Sequence, residues 1–150
     1  MATIRRSFVV NVPIEKVFAY MCDPIKVSEW LPGLFGIRDV AGMGTAQQFR
    51  WTYKMMGLPF TGKAKCVEYT PNERIVIETT GSIRSTWTWT FEPQRSMTLV
   101  NVTLQYTLPI PVIGKACEKL ILRQNQREAD LAVANIKEKL QWRSQFKSLI

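Results

Sequence analysis

The chain has 150 residues, 46% of them hydrophobic and 21% charged, which is enough material for one packed core and excludes a disordered or fibrous protein. There is no histidine, so the commonest general base, the commonest neutral metal ligand and every Ser/His or Cys/His nucleophile pair are missing. The 20 Lys and Arg against 12 Asp and Glu leave a formal charge of +8, which favours acidic surfaces as partners without choosing among them.

Cys22, Cys66 and Cys117 stand singly, with no C-x-x-C pair, so neither a zinc site nor a disulfide framework is expected, and a reducing, cytoplasmic setting is. Residues 1–6 lack the apolar run of a signal peptide, and no stretch approaches the run of about eighteen apolar residues that a membrane span needs. With no linker, repeat or low-complexity tract, residues 1–150 read as a single domain.

From Ile4 to Val12, Phe8, Val10 and Val12 alternate with Ser7, Val9 and Asn11, which predicts a strand with one face more apolar than the other. Pro13 as first helical residue, Glu15 in the first turn and Val17, Phe18 and Met21 at helical spacing predict a short helix. Asp23 before Pro24 repeats the start signal, and Val27, Trp30 and Leu31 carry a second short helix to the stop at Pro32-Gly33. From Leu34 to Leu108, turn residues recur at Gly42 to Gly44, Gly57 to Pro59, Pro71-Asn72, Gly81 and Pro93 to Ser96, with period-two segments between them. That pattern predicts six strands in an antiparallel meander. After Pro109 and Pro111 the period becomes helical, with Ile113, Cys117, Leu120, Ile121, Leu131, Ile136 and Leu140 on one stripe. A helix of about thirty residues, roughly 45 Å long, would lie across the whole sheet.

In this β-α-α-β6-α order, the stretches VPIEKVFAYMCDPIKVSEWLPG (residues 12–33) and READLAVANIKEKLQ (residues 127–141) resemble the START-like (SRPBCC) superfamily, in particular its bacterial polyketide cyclase/dehydrase and lipid-transport branch. The resemblance implies an α+β helix-grip fold: a curved seven-stranded antiparallel sheet around the long C-terminal helix, with an apolar cavity between them. Its members include lipid carriers, metabolite binders, aromatases and chaperone co-activators, so fold alone leaves function open. The GW-rich tail typical of the co-activators is missing after Gln141.

Alternation puts Phe49, Trp51 and Tyr53 on one face of their strand, Trp87, Trp89 and Phe91 on one face of theirs, and Val102, Leu104 and Tyr106 on one face of the last. Gly62, Ala64 and Cys66 form a face of small residues on the intervening strand. Large side chains beside small ones make either a compensated solid core or an unfilled volume, and the resemblance favours a pocket. Ala64 and Cys66, the aromatics, Val102 and Leu104, with Leu120 and Gln124 from the helix, are the expected ligand-binding residues. The polar candidates are Tyr53, Tyr106, Glu68, Gln124 and Arg6, with Glu68 and Arg6 expected at a rim or in solvent because a buried unpaired charge is costly. An acid/base enzyme would have to draw on Glu68 or Glu78 with Tyr53 or Tyr106. No residue is assigned a catalytic role, and no metal or cofactor is called for.

Lys115, Lys119, Arg123 and Arg127 step by four along the helix, either as a solvated outer face or as a contact for anionic lipid. The row has no interleaved aromatics, which argues against nucleic acid. Hairpin turns in a meander alternate between the ends of the sheet, and the end holding the turns near Gly57 and Gly81 and the Pro109 junction is markedly apolar. Met56, Leu58 and Ile110 there are read as a cavity gate, the alternative being that these loops fold inward as a plug. The expected activity is binding or transfer of a hydrophobic small molecule such as a lipid, isoprenoid or aromatic metabolite, or else a cyclase or dehydratase using the same cavity.

Overall fold

The computed structural model describes residues 1–149, with side chains at all of these positions except 110, 112 and 143–149. The elements run β1 (Ala2–Val10), α1 (Ile14–Cys22), a single 3-10 turn (Pro24–Lys26), α2 (Val27–Trp30), β2 (Leu34–Ala41), β3 (Gln48–Met55), β4 (Leu58–Thr70), β5 (Arg74–Gly81), β6 (Ser85–Gln94), β7 (Met97–Tyr106), α3 (Ile110–Ile113) and α4 (Glu118–Leu149). The strands form one antiparallel sheet in the order β1-β7-β6-β5-β4-β3-β2. Strands β2 to β7 are thus the expected meander, and β1 closes it by pairing with β7 from Ala2↔Tyr106 to Val10↔Thr98. This is the α+β helix-grip fold. Among the described residues no helix is long and apolar enough to cross a membrane.

Local chemistry explains the turns. Met55 pairs with Leu58, and Met56 and Gly57 between them have φ of 54° and 77°, the two left-handed residues that a tight hairpin with strand-matching twist requires. The carboxylate of Asp23 accepts a hydrogen bond from the Ile25 amide at 3.1 Å, capping the turn that leads into α2.

Three boundaries differ from the sequence expectation. Strand β1 leaves the ladder at Val10, because the Val12 amide turns back to the Val10 carbonyl at 2.8 Å. Val12 is nonetheless buried, and its carbonyl accepts from the hydroxyl of the fully buried Thr98 at 2.8 Å. Pro13 is extended, with ψ of 149°, so the helix starts one residue later. The C-terminal helix is interrupted at Gly114, whose φ of +92° separates α3 from the 3-10 turn that opens α4.

The helices and the sheet meet in two apolar clusters. One gathers α1, the Trp30 end of α2 and the Ala132, Ile136 and Leu140 side of α4 against β1, β6 and β7. The other packs Ile121 of α4 against Phe49, Trp51, Phe60 and Tyr106. Within the sheet, large residues of β3 stand opposite small ones of β4, Trp51 against Gly62 and Phe49 against Ala64. A Cβ on Gly62 would lie 2.0 Å from the Thr80 carbonyl oxygen and 2.5 Å from the Trp51 ring, so the indole rests directly on this glycine. The bulge between Cys66 and Glu68 adds to the twist that curves the sheet around α4. Gly62→Ala is expected to cost about 1–3 kcal/mol of unfolding free energy, as overpacking does. Urea unfolding checks it, and an unperturbed midpoint would show that Trp51 does not depend on the glycine.

Candidate functional site

Between sheet and helix lies a cavity of about 190 Å³. Its floor is the concave face of the sheet, to which all seven strands contribute, and its roof is α4. It exists because of what α4 presents: between Ile121 and Ile136 the lining residues of the helix are Asn125, Glu128, Ala129, Ala132 and Val133. These side chains are too small or too polar to fill the curve of the sheet. One wall is aromatic. Trp87 and Trp89, two residues apart on β6, stack with ring planes 6° apart, and Trp30 meets them edge-on with centroids at 6.4 and 5.6 Å. The indole N–H groups of Trp30 and Trp51 are buried and have no hydrogen-bond acceptor among the described residues.

Tyr53, Tyr106, Asn125 and Glu128 are gathered under one turn of the helix, while Thr79 and Ser85, hydrogen-bonded to each other on β5 and β6, are further polar residues of the lining. Asn125 and Glu128 are three residues apart on α4 and face the sheet together. The Tyr53 hydroxyl donates a short hydrogen bond to Glu128 Oε1, and Asn125 Nδ2 donates to the Tyr106 hydroxyl at 2.7 Å. Burial pushes the Glu128 carboxyl above its ordinary value of 4.5, partly offset by the Tyr53 hydrogen bond. Burial likewise raises the Tyr53 and Tyr106 phenols, and the charge of Glu128 adds to both, so they remain protonated. Arg6 also reaches the lining, but its guanidinium is engaged by α4: Nε lies 2.7 Å from Asp130 Oδ1, and Nη2 donates to the Gln126 carbonyl and side chain.

Most residues expected at the site meet here. Phe49, Trp51, Tyr53, Ala64, Trp87, Trp89, Val102, Leu104 and Tyr106 all line the cavity. Phe91 and Cys66 lie on the correct faces but beyond its end, beneath α1, where Phe91 packs edge-on against Phe18 at 5.3 Å. The structure corrects the reading of the helix. Leu120 is 56% exposed, and Gln124 lines a groove on the outer surface with Pro32, Arg123 and Arg127. Each stands one residue, about 100° of helical rotation, off the inward line through Ile121, Asn125, Glu128, Ala132 and Ile136. Leu131, at 51% exposure, is displaced in the same way.

Nor do the acids Glu68 and Glu78 belong to the site. Both are exposed, and Glu68 is paired with Arg74 at 2.6 Å on the outer surface. The acid in the cavity is Glu128, which sequence reasoning missed although it falls on the inward line of the helix. Trp30, read from the sequence as part of the second short helix, belongs to the cavity wall. At that end, Met55, Phe60 and Leu108 are buried, while Met56 and Leu58 are 40% and 41% exposed and do not reach the lining; the Ile110 side chain lies outside the described residues.

The thiols of Cys22 and Cys66 are poor nucleophiles. Cys22 is pushed up to about 12, by burial first and then by the neighbouring Cys66, and burial raises Cys66 as well. Among the described residues no three His, Cys, Asp or Glu side chains gather as a metal ion would require.

The sequence profile of the family described as polyketide cyclase / dehydrase and lipid transport matches residues 1–141, and the chain belongs to that family. The fold is similar to that of TTHA0849 from Thermus thermophilus, with a TM-score of 0.81 at 24% identity over 95% of this chain and 99% of that one. It is also similar to the Zhui aromatase/cyclase from Streptomyces sp. R1128, with a TM-score of 0.75 at 11% identity over 95% of each chain. No curated protein sequence matches the chain significantly.

The raised carboxyl of Glu128 makes a pH prediction. The folded protein holds this proton more tightly than the unfolded chain, so the resulting stabilisation is full below pH 4.5 and is lost as pH rises through the folded-state value. Urea unfolding of wild type and Glu128→Gln, from below pH 4.5 upward, should therefore show the difference moving against the wild type as pH rises. Parallel pH profiles would mean that Glu128 titrates as an ordinary surface carboxyl.

Proposed function

We propose that the protein binds and carries a hydrophobic small molecule in the cavity between the sheet and α4. The observation that supports this reading is the cavity itself: a mainly aromatic and aliphatic enclosure with a few polar groups, the usual build of a small-molecule site. A cavity of about 150 Å³ takes up benzene, so the volume here suits a compact ring system better than a diacyl lipid. Native mass spectrometry of freshly purified protein tests the reading. A co-purifying neutral adduct, or uptake of an added neutral naphthylamine, is expected, and failure of both would overturn it.

A second reading, an enzyme of the cyclase or dehydratase type, is favoured by one observation: Glu128, an acid raised by burial, hydrogen-bonded to Tyr53 inside the cavity. Conversion of a bound ketone-bearing substrate, lost in Glu128→Gln, would establish it; binding without turnover favours the carrier.

The two tryptophans of β6 separate wall from core. Trp89 is 5% exposed and fixed between Trp30 and Trp87, so Trp89→Ala should lose about 3–5 kcal/mol of stability. Trp87 is half-buried and lies at the cavity, so Trp87→Ala should lose less stability and more affinity for the naphthylamine. Equal stability losses with unchanged probe affinity would place both rings in a solid core.

Release at an anionic membrane surface extends the carrier reading. Lys115, Lys119, Arg123 and Arg127 are exposed and make no ion pair among the described residues. Arg123 and Arg127 flank the outer groove, and Glu128 lines both that groove and the cavity. We place the ligand's route there in preference to the Met56 and Leu58 turn. Replacing the four cations by Gln should reduce sedimentation with anionic vesicles in a salt-sensitive way; equal sedimentation at low salt would remove the row from the account.

A further inference from the structure

We infer that Tyr53, Glu128, Tyr106 and Asn125 form a selectivity element, which admits compact uncharged ligands bearing a hydroxyl or carbonyl group and turns away carboxylates and phosphates of the same size. The inference rests on the binding reading above and names the ligand class of the same cavity.

The charge inventory of the lining carries it. Arg6 and Glu128 are the charged side chains among the described lining residues. Arg6 is already committed: Nε to Asp130 Oδ1 at 2.7 Å, Nη1 to the Arg5 carbonyl at 2.8 Å, and Nη2 to the Gln126 carbonyl at 3.2 Å and side-chain oxygen at 2.8 Å. An anion entering the cavity would therefore lose its hydration without gaining an unpaired cation, in a wall whose remaining residues are uncharged and mostly aromatic or aliphatic. Glu128 makes entry worse. When ionised it repels the anion.

A neutral hydroxyl or carbonyl meets the opposite situation. The Tyr106 oxygen accepts from Asn125, which leaves the phenolic hydrogen free to donate. Tyr53 occupies Oε1 of Glu128, which leaves the second carboxyl oxygen as an acceptor. The site thus offers one donor and one acceptor beneath a single helical turn, which is the pairing a hydroxyl needs, and the donor alone serves a carbonyl. Both phenols are anchored from α4, so the element is preorganised by the same helix that roofs the cavity.

The test is displacement of a neutral fluorescent naphthylamine by naphthol, by the matching naphthoate and by naphthalene, at neutral pH and fixed salt. Naphthol should displace the probe at a concentration about tenfold or more below that of naphthoate. Glu128→Gln should narrow that ratio, and Tyr106→Phe should bring naphthol towards naphthalene, with circular dichroism confirming the fold of each variant. If the wild-type protein takes up no probe, the binding reading falls and the inference with it. Probe uptake with equal displacement by naphthol and naphthoate overturns the inference alone. The wild-type comparison decides the matter even if neither variant folds.

Discussion

Helix α4 touches the sheet through large side chains at two separated places, and the site depends on the gap between them. Ile121 anchors one cluster, and Ile136 and Leu140 anchor the other. Between these anchors the helix cannot sag into the curved sheet, because it is also tied from the side: Asp130 to Arg6 of β1, Asn135 Nδ2 to the Trp30 carbonyl at 3.2 Å, and Gln141 Oε1 to the Asn11 amide at 3.3 Å. A helix is stiff along its hydrogen-bonded axis, so a span held at both ends and supplied with alanines in the middle leaves a space that close packing would otherwise remove. The position of α4 thus fixes the volume of the cavity, and the residues on its inner line fix the chemistry of its roof.

The opposite wall solves a complementary problem. Three tryptophans and two tyrosines line one curved surface, and such rings would crowd one another if every strand carried them. The sheet avoids this by register, setting Trp51 over Gly62 and Phe49 opposite Ala64. The small face of β4 therefore serves as a seat for the rings of β3, so the volume freed by small residues is partly used up there.

Much of this architecture was legible in the residues. Turn chemistry at regular intervals and strict alternation located all six strands of the meander, and alternation assigned the aromatic faces correctly, since a strand's period of two leaves no intermediate choice. The helix was less legible. Its apolar stripe is broad, and Leu120 and Leu131 look equivalent to Ile121 until the sheet shows which line faces inward. Polar residues on that line were the signal for Asn125 and Glu128, but a glutamate in a basic helix reads as surface charge unless its partner, Tyr53 on a strand 75 residues away, is known. Glu68 is exposed, in keeping with a charge expected at a rim or in solvent: its place past the bulge on β4 leaves it on the outer surface with Arg74.

The space beneath α4 is tested most directly by filling it. Ala129 lines the cavity from the middle of the helical span, and leucine there adds apolar volume with high helix propensity. Equilibrium urea unfolding of Ala129→Leu should show stability unchanged or raised, because the new side chain enters open apolar space. A loss of about 1–3 kcal/mol, the penalty for forcing a larger side chain into a filled interior, would contradict the existence of the cavity.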